Sequence, residues 1–348
     1  MKLRTYSLKL PLAHAFTISR ESMDWQTSII VELEHDGIRG YGEVTENEFY
    51  GHPRSAILAS IDRAVPLLDA YVTGDPLELF DSLLAAVDGD TFAASAIDMA
   101  AHDWQGKKLG LPTWKVWGLQ WRDVPSSSYT IGIDTIPAMI AKLQEQPDWP
   151  IYKIKLGTSH DLEIVRQLRD QTNARFRVDA NCAWTAKQTV ENSTALRDLG
   201  VEFIEQPLPQ SAPLEDKRWV YQHSSLPIIA DEDCQIPTDV ARCAEFYHGI
   251  NVKICKCGGL TPGLNMLREA RQLGLRTMVG CMVESSIGIS GAAQLLPLLD
   301  YADLDGAVLL AHEPAAGVVV AAGQISEPTT AGTGARLLTD RLAEYLLP

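Results

Sequence analysis

Ile151-Tyr152-Lys153-Ile154-Lys155, Phe176-Arg177-Val178-Asp179, Val201-Glu202-Phe203-Ile204-Glu205, Pro227-Ile228-Ile229-Ala230-Asp231 and Ile250-Asn251-Val252-Lys253-Ile254-Cys255-Lys256 are short apolar runs, each ending in a carboxylate or a lysine. From Lys155 to Lys256 the end residues are spaced 24, 26, 26 and 25 apart, the length of one strand, one helix and two loops. Helix-like segments at residues 161–170, 185–199, 238–247 and 263–273 fill gaps between the runs, so the pattern reads β-α-β-α with a parallel sheet. Such a repeat predicts a closed (β/α) barrel of the TIM type. In these barrels the strand C-termini face a common mouth, where active sites are built.

A chain of 348 residues exceeds the roughly 200–250 that a barrel needs, which predicts a second structural unit. A hydrophobic fraction of 46% with 22% charged residues excludes a disordered chain. The net charge of −15 has no basic cluster to offset it, so the field repels nucleic acid and anionic lipid and favours a small-molecule or cationic partner. Lys9 and His14 interrupt any apolar stretch long enough for a signal peptide, and no run approaches the ~18 apolar residues of a membrane helix. The cytoplasm is the expected location. All six cysteines lie between Cys182 and Cys281 without a Cys-x-x-Cys pair. Cys255 and Cys257, on either side of Lys256 on one strand face, read as buried reduced thiols.

The first hundred residues follow a different pattern. A strand at residues 1–9 and a hairpin of 26–34 with 37–44 around Asp36-Gly37 predict a small antiparallel sheet. Residues 13–25 and 45–54 read as loops. Helical spacing covers 55–71, 77–86 and 92–105, the last stopped by Gly106 and then by Gly110 and Pro112. Residues 124–133 are the expected first barrel strand, and 277–280 and 301–305 the last two. The expected division is an α+β capping domain at 1–120, the barrel at 121–314, and a segment at 315–348 that returns to the cap and ends in a short helix.

Asp179, Glu205 and Asp231 end successive strands, so barrel closure sets them around one point. Unpaired, they would repel. A hard divalent cation removes that repulsion, and an all-oxygen donor set indicates Mg²⁺, with Mn²⁺ as the alternative. Loop acids or helix N-caps are the bland reading of any one of them. Lys153 and Lys155, two apart on a strand, point to one side, and Lys256 closes the strand roughly opposite. Mutual repulsion and a neighbouring cation would draw such lysines from about 10.4 toward the ~7–8 that suits a general base. Lys253 reads as structural. Asp303 and Asp305 set two further carboxylates on one face of the last strand, or on an exposed turn. Glu284 also falls near the mouth.

Taken together, Lys153-x-Lys155, Val178-Asp179-Ala180-Asn181, Glu205-Gln206-Pro207, Ala230-Asp231-Glu232, Lys256-Cys257-Gly258-Gly259 and the upstream Ala96-Ile97-Asp98-Met99-Ala100-x-x-Asp103-x-x-Gly106-Lys107 resemble the enolase superfamily, muconate-lactonizing subgroup. The likeness covers nearly the whole chain. It implies a modified (β/α)7β barrel and removal of a proton beside a carboxylate through an enediolate. It further implies Asp179, Glu205 and Asp231 as Mg²⁺ ligands, Lys155 and Lys256 as the acid/base pair, and Lys153 on the substrate carboxylate. Asp303-Leu304-Asp305 is similar to the Asp-x-Asp with which dipeptide epimerases receive the substrate α-ammonium, so the expectation is a dipeptide epimerase. Racemisation of N-acylamino acids, cycloisomerisation and dehydration to a succinylbenzoate remain open on the same fold, as does, in another class, a non-catalytic metal-binding scaffold. Specificity is expected from Arg20, Glu21, Asp24 and Tyr50 in the cap and from Glu284, and the resemblance implies a homo-oligomer. One departure stands out: Asn181 is followed by Cys182-Ala183-Trp184, where the family usually has Gly before the Trp.

Overall fold

The computed structural model describes residues 1–19, 21–71 and 74–348. It opens with an antiparallel sheet of β1 (Lys2–Ile18), β2 (Glu21–His35) and β3 (Ile38–Thr45). Asp36 and Gly37, at φ 52° and 75°, make the tight turn that Asp-Gly was expected to supply. The expected loop at 13–25 is, over residues 13–18 and 21–25, strand. After a bulge between Pro11 and Phe16, pairing resumes at Phe16↔Met23 and Ile18↔Glu21. Polar neighbours obscured the apolar alternation there, and Phe16, Ile18 and Met23 line the cleft over the barrel.

The helical stretch 55–71 is split into Arg54–Arg63 and Val65–Ala70, because Pro66 lacks an N–H and fits only in a first helical turn. The helix Thr91–Leu109 runs through Gly106, the expected stop, and ends at Gly110 with φ 68°. Gly106 answers a packing need, since a Cβ there would lie 2.6 Å from Gly332 Cα. Gly40 on β3 serves the same end, for its Cβ would lie 2.6 Å from Trp104 N. Sheet and helix therefore meet backbone to backbone.

The barrel consists of β4 (Tyr129–Ile131), β5 (Ile151–Lys155), β6 (Arg175–Asp179), β7 (Val201–Glu205), β8 (Ile228–Ala230), β9 (Gly249–Val252), β10 (Arg276–Gly280) and β11 (Tyr301–Asp303), all parallel and in sequence order. A bridge between Ser127 and Ala302 brings the last strand to the first. Among the described residues a helix follows each strand except β11, which is the (β/α)7β arrangement. The floor is packed by Phe203, Ile229 and Met278, with the buried Arg177 guanidinium between Phe203 and Tyr301 and donating to Ala302 O.

Residues beyond 310 run back along the cap. Lys9 N donates to Tyr345 O and Leu347 N to Ser7 O, while Leu337, Leu342 and Tyr345 pack on Leu8, Leu10 and Ile30. The expected terminal helix is a single tight turn at Leu342–Glu344.

Candidate active site

Strand ends deliver the acidic residues. Asp179 and Glu205 close β6 and β7, and Asp231 follows β8; all three are fully buried, and one ligand oxygen from each lies within 4.8 Å of the others. Burial would raise the Asp179 carboxyl, but Lys155 and Lys153 hold it down at about 2. Asp231 is likewise pulled below the usual carboxylate range against its burial, by Lys253 and Lys256. Glu205 goes the other way, to about 7, through burial and the neighbouring Asp179 charge. Its Oε1 accepts from Asn251 Nδ2 at 2.9 Å, whereas Oε2 faces Lys153 Nζ at 2.8 Å in a geometry that makes no hydrogen bond. An orphaned carboxylate oxygen beside two further hard donors fits a small divalent cation.

Lys153 and Lys155 share one side of β5, as their spacing predicts. Lys155 Nζ donates to Asp179 Oδ2 at 2.7 Å, and Lys153 Nζ to Asp303 Oδ2 at 2.8 Å. For Lys153 the expected fall in pKa does not occur in the protein alone. Burial lowers Lys153, but Asp303, Glu205 and Asp179 outweigh it and hold the group well above its ordinary value. Lys253 behaves the same way through Asp231.

The largest departure from the sequence reading concerns the opposite wall. Strand β9 ends at Val252, and Lys256 stands on a separate helical turn, Ile254–Cys257. Lys253, read as structural, borders the cleft across from Lys155 and donates to Asp231 Oδ2 at 2.9 Å. Lys256 does not line the cleft; its ammonium is spent on Asp231 and on Cys234 O. A usable signal existed: Lys253 directly follows the alternating Ile250-Asn251-Val252, as Lys155 does its own run. The strand ends four residues earlier than the sequence pattern predicts.

Asp303 and Asp305 both line the cleft. Asp303 Oδ1 accepts from Ser128 Oγ and Asp305 Oδ2 from Thr130 N, each at 2.6 Å, partners not foreseen from sequence. Lys153 holds Asp303 below its ordinary value despite burial, while burial and then Asp303 push Asp305 to about 7. Glu21 and Tyr50 reach the cleft from the cap, and the Tyr50 hydroxyl is buried without a partner. Asp24 does not line the cleft but an adjoining groove with Trp25, Thr27 and Glu48, and Arg20 falls outside the described residues. Glu284 is not on the cleft wall: it is folded back to accept from Met282 N at 3.0 Å, and burial with nearby Glu43 raises it to about 8. The missing Gly is accommodated because the left-handed turn falls on Asn181 and Cys182, at φ 44° and 68°, and not on Ala183.

Residues 2–118 match the mandelate racemase / muconate lactonizing enzyme N-terminal domain, and residues 137–341 match the enolase C-terminal domain-like family. Over 336 residues the chain is 48% identical to the L-Ala-D/L-amino acid epimerase of Flavobacterium johnsoniae, covering 97% of this chain and 99% of that one. A Maribacter protein of the same description is 46% identical over 338 residues, covering 97% and 99%. Among solved structures, a dipeptide epimerase from Cytophaga hutchinsonii, complexed with Mg and the dipeptide D-Ala-L-Val, superposes with a TM-score of 0.90 at 26% identity, covering 99% and 97%. No described helix is long and apolar enough to cross a membrane.

Proposed function

Because the chain belongs to the mandelate racemase / muconate lactonizing enzyme family of enolase-like proteins, we propose that it is a Mg²⁺-dependent dipeptide epimerase, inverting the α-carbon of the C-terminal residue of an L-Ala-D/L-Xaa dipeptide. The observation that carries this reading is one cleft lined by Lys155 and Lys253, which stand at the ends of strands four apart in the ring, and by the Asp303–Asp305 pair. A dipeptide has a carboxylate at one terminus and an ammonium at the other. Lys153, which lines the cleft and contacts the buried Asp179 and Glu205, would meet the first, and Asp303 with Asp305 the second.

Asp179, Glu205 and Asp231 would hold the metal, and Mg²⁺ bound there would supply Lewis-acid stabilisation of the charge that the substrate carboxylate takes up. Lys155 and Lys253 stand four strands apart in an eight-stranded ring, so they address opposite faces of an α-carbon between them. One removes the proton, giving an enediolate, and the other returns a proton from the far side. In this reading Lys253 takes the role that the sequence assigned to Lys256. Lys153 lies beside the substrate carboxylate, and Asp303 and Asp305 receive the α-ammonium.

The test is deuterium uptake. L-Ala-Xaa dipeptides incubated with the enzyme and Mg²⁺ in D₂O should gain one mass unit at the C-terminal residue and appear as both epimers. N-acetylation should abolish most of this. Equal exchange of N-acetylated amino acids and free dipeptides would replace the proposal with an N-acylamino acid racemase.

A further inference from the structure

Lys256 is left without a part in proton transfer, yet it is 2% exposed and fully engaged. Its ammonium meets Asp231 Oδ1 at 2.5 Å, the Asp231 main-chain carbonyl at 2.5 Å and Cys234 O at 3.2 Å. A lysine has three N–H donors, so these acceptors use them all. Gripping the carboxylate and the carbonyl of one residue fixes that side chain against its own main chain. The other oxygen, Oδ2, is the one reached by Lys253, the lysine that borders the cleft.

The chain directly after the turn that carries Lys256 is itself anchored. Asp98, from the helix Thr91–Leu109, accepts from Thr261 N at 2.9 Å and from Thr261 Oγ1 at 2.7 Å. Gly259, at φ 143°, passes so close that a Cβ would lie 2.7 Å from Asp98 Cβ. The cap helix thereby sets the height at which Lys256 enters beneath Asp231.

We propose that Lys256 is a positioning residue: it ties Asp231 Oδ1 to the main chain and reserves Oδ2 for the divalent cation, so that Asp231 binds through one oxygen. This rests on the metal reading above and adds to it which atom is used and what holds it. Charge and position make opposite predictions. A cation near the site repels Mg²⁺, so if only its charge mattered, removing Lys256 would tighten binding. If it positions Asp231, removing it loosens a ligand and weakens binding.

Calorimetric titration of Mg²⁺ into metal-stripped protein, with no substrate present, separates the two. Lys256→Met, checked for native circular dichroism, should bind Mg²⁺ at least tenfold more weakly than the unmutated protein. Equal or tighter binding by the folded variant overturns the proposal. If the unmutated protein takes up no Mg²⁺, the metal reading itself fails. Should Lys256→Met not fold, a crystal structure of the Mg²⁺-loaded unmutated protein decides. Coordination through Asp231 Oδ2, with Lys256 still on Oδ1, supports the proposal; coordination through Oδ1 or through both oxygens ends it.

Discussion

Lys155 and Lys253 are assigned to opposite faces of one carbon, so removing either should have a stereochemical consequence and not a mere loss of rate. Lys155→Ala and Lys253→Ala are each expected to lower epimerisation about 10²–10⁴-fold, the usual contribution of a positioned acid or base. Each should still wash deuterium into the one epimer whose hydrogen faces the surviving lysine. Equal exchange of both epimers by Lys155→Ala would contradict the two-base arrangement. Asp305 makes a pH-dependent prediction. Its carboxyl, raised by burial and by Asp303 from 3.8 to about 7, is neutral below that pH and offers no charge to an ammonium. kcat/KM for a dipeptide should therefore fall as pH drops through about 7. Asp305→Asn should remove that dependence and cost about 10- to 150-fold at pH 8, the equivalent of one charge-assisted hydrogen bond. The stability sign is opposite. A carboxyl whose folded pKa is raised loses stability as pH climbs from its unfolded value to its folded one. Asp305→Asn should thus gain Tm relative to the unmutated protein between about pH 4 and 7, a gain that levels off above.

At the scale of elements, the cap and the barrel are fastened by buried carboxylates that cross between them. Glu43 on β3 accepts from Ser28 Oγ at 2.6 Å, from Ser285 N and Oγ at 2.9 and 2.6 Å, and from Gly288 N at 2.8 Å. It thereby satisfies the start of the helix Ser286–Ala293 that follows β10, where free N–H groups favour an anion. Asp103 in turn fastens the cap to the C-terminal segment, accepting from Tyr41 N at 2.8 Å, Thr333 N at 2.7 Å and Lys107 Nζ at 2.6 Å. Glu43→Ala should cost about 3 kcal/mol or more, since it strands several buried donors at once. Urea unfolding measures this, and a change below about 1 kcal/mol would mean that water replaces the carboxylate at little cost.

For the whole molecule, the relevant fact is that three carboxylates are closed into the barrel mouth. In the protein alone they are matched by Lys153, Lys155, Lys253 and Lys256, so the net −15 comes from elsewhere in the chain. A ligand that binds only the folded state stabilises it by about 2.7 kcal/mol at a hundred times its Kd. Mg²⁺ should therefore raise the Tm of EDTA-stripped protein by several degrees, while NaCl of equal ionic strength should not. Glu205→Gln should flatten the Mg²⁺ response. An unmutated protein whose Tm and turnover ignore EDTA would remove the metal from the reaction.

The barrel, its strand order and the convergence of Asp179, Glu205 and Asp231 were legible in the chain itself. A 24- to 26-residue repeat and the alternation within each run are local properties, and parallel closure then brings equivalent strand ends together whatever the detail. The Asp-Gly turn at Asp36–Gly37 was legible for the same reason, since its backbone preference is intrinsic. Other features depended on contacts between distant segments. Whether Lys253 or Lys256 faces the cleft turned on where β9 ends and on a helical turn seated against Asp98. Glu284 turned inward because Gly288 and Met282 leave room and a donor for it, and residues 16–18 paired with 21–23 because Phe16, Ile18 and Met23 found the barrel mouth to cover. A strand's period is written in its own residues, but the direction a side chain takes at the end of an element is set by what the rest of the fold packs against it.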